Sequence, residues 1–152
     1  MSRGADDAYH LGRYLAAQQP VYARVCAELA AGCKRSHWMW FVFPQLRGLG
    51  SSPTAQHFAI SSLGEARAYL AHPLLGERLR ECTRLVMSVP AGTAEAIFGY
   101  PDHLKFRSSL TLFAHAAADS PAAADRIFAA ALARYYAGEP DPLTRELLAT
   151  AS

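Results

Sequence analysis

The chain reads as an all-α protein, a single compact orthogonal helical domain of about eight helices, several of them short. Three observations predict this. Apolar residues recur at three- and four-residue spacing, prolines and glycines cut the chain into helix-sized pieces, and only His37 to Phe43 has the content of a strand. A length of 152 residues suits one domain, so it is assigned to 1–152, with frayed ends expected at about 1–6 and 150–152.

The elements follow in order. From Asp7, the positions Ala8, Leu11, Tyr14 and Leu15 keep helical spacing, and Pro20 opens the next segment. Val21, Val25 and Leu29 mark a second helix that Gly32 closes, since glycine enters the left-handed region at little cost. His37 to Phe43 suits a short strand or a tight helical turn equally. After the Gly48-Leu49-Gly50 loop, Ser52 and Pro53 signal a short helix around Thr54 to Ala59. Ser62 with Glu65 reads as a capping box for a helix reaching Leu70 or Ala71. Beyond His72-Pro73, Leu74, Leu75, Leu79, Cys82, Leu85, Val86 and Val89 form a wide apolar stripe that stops before Pro90. Thr93 caps a short helix over Ala94 to Phe98, ended by Gly99. Pro101-Asp102 opens a longer one with Leu104, Leu110, Leu112, Phe113 and Ala114 available for burial. Pro121 separates it from an Ala-rich helix ending near Tyr136 and Gly138, and Asp141-Pro142 begins the last helix, with Leu143, Leu147 and Leu148 on its apolar face.

The composition narrows the function classes. Apolar residues make up 51% of the chain, enough for a filled core in a domain that buries roughly 70% of its unfolded surface. Fifteen basic and thirteen acidic side chains give a net charge of +2, too balanced to indicate a nucleic-acid binder. Three cysteines, Cys26, Cys33 and Cys82, form no Cys-x-x-Cys pair, which argues against a disulfide framework or structural zinc and fits a reducing cytoplasm. Asp6 and Asp7 precede any apolar run, and no signal peptide or membrane span is read, so a soluble protein is expected. No metal-binding, phosphate-loop or hydrolase-elbow motif occurs, and no cofactor is implied. The cysteines read as inert packing, except that Cys33 beside Lys34 and Arg35 is a candidate nucleophile.

Two blocks carry the chemistry. From Leu29 through Gly64 there is no Asp or Glu, while Lys34, Arg35 and Arg47 lie inside, so the local field favours an anionic visitor. Within that run, Lys34, Arg35 and His37 precede Trp38 and Trp40, and Gln45 follows Pro44. An indole can stack on a nucleobase, and His37 can act as acid or base near neutrality. Each has a plainer reading: the tryptophans as core wedges, the cations as partners of a helix dipole, Gln45 as a satisfied backbone partner. The second block places Asp102, Lys105, Ser108, Ser109 and Thr111 along one polar stripe of a helix. These either complete an anion pocket or are spent locally, the hydroxyls on carbonyls one turn back and Asp102 on capping its helix.

The two blocks, with Gly48-Leu49-Gly50 and Ile97-Phe98-Gly99, resemble a bacterial domain-of-unknown-function family, number eighteen-ten, whose members sometimes carry a calpastatin-like label. The likeness runs from about Tyr9 to about Pro142. It implies an all-α fold and no assigned activity. The calpastatin label does not fit, since inhibitors of that kind are long, repetitive and disordered. Where the family often has an acid after the aspartate, this chain has His103, which disfavours paired carboxylates there.

The expectation is therefore a pocket between the Lys34 to Gln45 segment and the Lys105 to Thr111 helix that holds a nucleotide-like anion. In one version an ADP-ribosyl or other N-glycosidic bond is hydrolysed, with His37 or Asp102 assisting proton transfer and Lys105 holding phosphate. The rival is a protein-interaction module that uses the Trp-rich basic segment as a hot-spot patch.

Overall fold

The computed structural model describes residues 8–90 and 92–151. The chain ends expected to fray at 1–6, and Ser152, lie outside the described residues; Thr150 and Ala151 are helical.

Among the described residues the chain forms ten α-helices and one 3-10 turn. They are α1 (Gly12–Gln18), α2 (Tyr22–Ala30), α3 (Met39–Val42), α4 (Pro53–His57), α5 (Leu63–Ala71), α6 (Leu75–Met87), α7 (Ala94–Phe98), α8 (Asp102–Ala116), the 3-10 turn (Ala123–Arg126), α9 (Ile127–Tyr136) and α10 (Pro142–Ala151). The all-α expectation is met. The strand-or-turn ambiguity at His37 to Phe43 resolves to α3, a single turn in which the Val42 and Phe43 amides donate to Trp38 and Met39 carbonyls.

The local signals act as their chemistry predicts. Ser52, Ser62 and Thr93 each accept a hydrogen bond from the backbone amide three residues on, at 3.1 Å. Gly32, at φ +74°, turns the chain out of α2. The capping box at Ser62 is only half formed. Glu65 sends its carboxylate to Ser61 and Arg13 instead of back to Ser62. Leu74, Leu104 and Leu143 are exposed, not buried: each lies in or just before the first turn of its helix on the side turned from the core, while the neighbours Leu75 and Thr144 are fully buried.

Helix α8 is the centre of the packing. It lies against α5, α7, α9 and α10, so every residue from Ser108 to Phe113 is buried whatever face it occupies. The first turns of α8 meet α3 through an aromatic cluster: Phe106 packs edge-on to Phe43 at 4.9 Å between centroids and tilts on Phe98 at 4.5 Å. α2 packs on α6, and α6 in turn on α5 and α9. Past α3 the chain is pinned by two backbone bonds, Ile60 N–H to the Gln45 carbonyl and Arg47 N–H to the Ile60 carbonyl, both 2.8 Å. That pair fixes the loop that carries Arg47.

Candidate functional site

The acid-free run is bounded by two glutamates, Glu28 and Glu65, and both are buried hydrogen-bond hubs. Glu28 lies in the last turn of α2, 8% exposed. Its Oε1 accepts from the amides of Arg35 and Ser36 and from the Trp38 indole N–H at 2.8, 3.0 and 2.9 Å, and its Oε2 accepts from Ser36 Oγ at 2.6 Å. Burial alone raises a carboxyl pKa. Here the donors from Ser36, Arg35 and Trp38 outweigh it and hold Glu28 at about 2. Glu65 mirrors this at the other end: Oε1 accepts from Ser61 N and Oγ, and Oε2 from Arg13 at 2.8 Å. The loop chemistry of the run is thus anchored at both ends by carboxylates that lie just outside it.

The two sequence blocks do meet. Lys34 Nζ is 2.8 Å from Asp102 Oδ2, and Lys105 Nζ is 3.5 Å from Asp102 Oδ1. Lys34 also donates to the Ser36 carbonyl at 2.6 Å and sits over the Trp38 ring, while Lys105 sits over Trp40, both 5.0 Å from the centroid. Aspartate and cations therefore satisfy one another. Asp102 does not cap α8, whose N-cap position is Pro101 and has no side-chain cap; it bridges two lysines. Asp102→Asn should cost about 2 kcal/mol, short of a fully buried pair because the carboxylate is partly exposed, and urea denaturation reads it directly.

The hollow expected between the blocks is filled. Trp38 is 1% exposed, its N–H spent on Glu28 and its ring tilted on Phe43, so it offers no stacking face to a ligand. Ser108 and Thr111 donate to the Leu104 and Arg107 carbonyls one turn back, and Thr111 also accepts from the Asp141 amide. Ser109 is buried, with its hydroxyl oxygen unpaired. Arg35 and His37 are exposed and line none of the cavities described below. Only Trp40 and Gln45 reach a crevice, and it has a volume of about 10 Å³, room for roughly one water. The hot-spot alternative likewise loses Trp38. The exposed aromatic in this region is Tyr100, at 75%.

Beside that crevice, with Gly50 and Ala59 as shared walls, lies a cleft of about 400 Å³, and this adjoins a second of about 490 Å³ with which it shares Arg47, Gln56 and Ala59. The volumes are in the range that holds small ligands. The polar lining is Tyr9, His10, Arg13, Arg47, Gln56 and His57, and its one carboxylate among the described residues, Glu65, is neutralised by Arg13. Arg13 is saturated. Its nitrogens donate to the carbonyls of Tyr9, His10, His57 and Ala59, to the Tyr14 hydroxyl and to Glu65. Arg47 is the opposite case: it is exposed, and among the described residues its guanidinium has no hydrogen-bond or ion-pair partner. His10, at φ +55°, holds an uncommon left-handed backbone at the rim of the same cleft. Arg47 lies in the acid-free run, but a lone arginine in a loop has no spacing to mark it as a site residue. His10, Gln56 and His57 carried no signal at all.

Among the described residues no three His, Cys, Asp or Glu side chains are grouped to hold a metal, and no helix is long and apolar enough to cross a membrane. The crystal structure of the conserved hypothetical protein Rv1873 from Mycobacterium tuberculosis is similar to this chain, with 57% identity and a TM-score of 0.88 over 93% of this chain and 98% of that one. No functionally curated protein matches. The family described as "Protein of unknown function (DUF1810)" matches residues 8–148, nearly the whole of the described fold, and the chain belongs to that family.

Proposed function

We propose that this protein binds a small phosphate-bearing, nucleotide-like anion in the groove that Arg47 overlooks. The observation that carries the reading is the uncommitted Arg47 guanidinium in a cleft where, among the described residues, the only carboxylate is already paired. A guanidinium presents a rigid fork of donors that matches phosphate. His10, His57 and Gln56 supply further donors around it, and half-buried Trp40, backed by Lys105, stands at the far end of the groove, where a planar group would widen the crevice to stack. ADP-ribose has both parts, an adenine and a diphosphate. The proposal is binding and not hydrolysis, because Asp102 is held by Lys34 and Lys105, and Glu65 by Arg13 and Ser61.

A thermal-shift series with inorganic phosphate, AMP and ADP-ribose tests it. A ligand at about a hundred times its Kd adds about 2.7 kcal/mol, so the expected shift is several degrees. Arg47→Ala should fold normally and lose most of that shift. No shift with any of the three ligands, or an equal shift in Arg47→Ala, would overturn the reading.

A further inference from the structure

Cys26 and Cys82 lie on α2 and α6, which pack on each other, and a chain of polar contacts runs from one thiol to the other through Glu81 and Tyr22. Cys26 Sγ lies 3.9 Å from Glu81 Oε1, the Tyr22 hydroxyl donates to that same oxygen, and Cys82 Sγ lies 3.9 Å from the Tyr22 hydroxyl. The cluster is graded in depth. Cys26 and Glu81 form its outer rim, while Cys82 is buried beneath. Arg78 covers it from α6, its guanidinium 4.5 Å from the centre of the Tyr22 ring.

We propose that Cys26 and Cys82 are an oxidisable thiol pair, with Cys26 reacting first with a hydroperoxide and Cys82 resolving it as an intramolecular disulfide. The Cys26 thiolate sulfur attacks one peroxide oxygen. The O–O bond breaks, and hydrogen peroxide leaves hydroxide that takes up a proton as water. The sulfenic acid at Cys26 is then attacked by the Cys82 sulfur. The S–S bond forms, the S–OH bond breaks, and the Cys82 proton leaves with that oxygen as a second water, so that two thiols and one peroxide give one disulfide and two waters.

The surroundings favour this order. The neighbouring Cys82 thiol draws Cys26 down to about 7 against the upward pull of burial, with the Tyr22 hydroxyl helping and Glu81 opposing. Cys82 is pushed the other way by Cys26 and by its own burial. An outer thiol that ionises easily beside an inner one that does not is the arrangement of an attacking and a resolving cysteine. The disulfide would tie α2 to α6. Cys33, the thiol singled out by sequence, is exposed and has no built partner of this kind.

The test uses the full chain with Cys33→Ser, treated with a small excess of hydrogen peroxide and digested without reduction. The expected result is a mass lower by two hydrogens, loss of both remaining thiols, a linked peptide pair joining Cys26 to Cys82, and full recovery with a dithiol reductant. Adding Cys26→Ser to the same background should leave Cys82 as a free thiol. Should that variant fail to fold, the peptide map of the Cys33→Ser chain decides alone. Persistence of both thiols, over-oxidation of Cys26 without a cross-link, or linkage only between separate chains would overturn the proposal.

Discussion

Glu28→Ala is expected to lower stability by about 4 kcal/mol or more, because it strands four donors at once in a site with little access to water. Two of these are backbone amides at the exit of α2, and a third is the indole N–H of a fully buried tryptophan. Glu28→Gln should recover only part of the loss, since its amide NH2 would face donors where an acceptor is needed. The pH dependence has a definite sign. A carboxyl held at about 2 when folded, against an ordinary value of 4.5, adds stability that is fully present above 4.5 and is lost as pH falls through 2. That contribution is on the order of 3 kcal/mol at neutral pH. Urea denaturation of wild type and Glu28→Gln should therefore show a stability gap that narrows steadily below pH 4.5. A gap that stays constant down to pH 2 would show that the carboxylate charge is not what those donors require.

Gly76→Ala is expected to destabilise by about 3 kcal/mol or more, against the direction of helix propensity. In an open helix the change gains about 1 kcal/mol. Here the added Cβ would lie 2.1 Å from the Leu70 carbonyl oxygen and 2.8 Å from its carbon, both backbone atoms that cannot rotate away. The corner between α5 and α6 is closed tightly. The His72 carbonyl accepts from the Gly76 amide at 3.0 Å, and His72 Nδ1 accepts from the Leu74 and Leu75 amides. The Leu70 carbonyl also receives Arg80, which in turn holds Asp125 at 2.5 Å, so a shift at Gly76 disturbs the seat of the 3-10 turn as well. Gly12→Ala is the matched control, since its Cβ meets nothing within 4 Å. It should be neutral or slightly stabilising. Comparable losses from both substitutions in thermal melts would contradict the steric account.

Much of the fold was legible because its signals are local. Ser52, Ser62 and Thr93 announce their helices by bonds that span three residues, and Gly32 by a backbone angle that other residues avoid. α3 was not legible, because one turn of helix is shorter than the period that would identify it. The two chemical blocks, both rich in polar groups that need partners, meet where Lys34 pairs with Asp102. What the spacing could not show is that they meet without a hollow. The acceptor for Trp38 is a glutamate in the preceding helix, and the hydroxyls of Ser108 and Thr111 had carbonyls at hand in their own helix. Residues rich in chemistry were therefore consumed by structure. That Arg47 stands beside a Glu65 already taken by Arg13, and that Cys26 on α2 comes near Cys82 on α6, are matters of tertiary packing that no single stretch of sequence records.

Clamped at its ends by Glu28 and Glu65, the acid-free run presents an Arg47 guanidinium that has no partner among the described residues, and the proposed anion would meet it there. The most direct measurement is a titration with ADP-ribose, followed by NMR through the Arg47 Nε–H resonance together with the amides of Gly48, Gly50 and Gln56. Saturable shifts confined to those signals, and abolished by Arg47→Ala, are the predicted result. Saturable shifts that centre on His37 and Arg35 while Arg47 stays still, or no saturable shift at all, would contradict it.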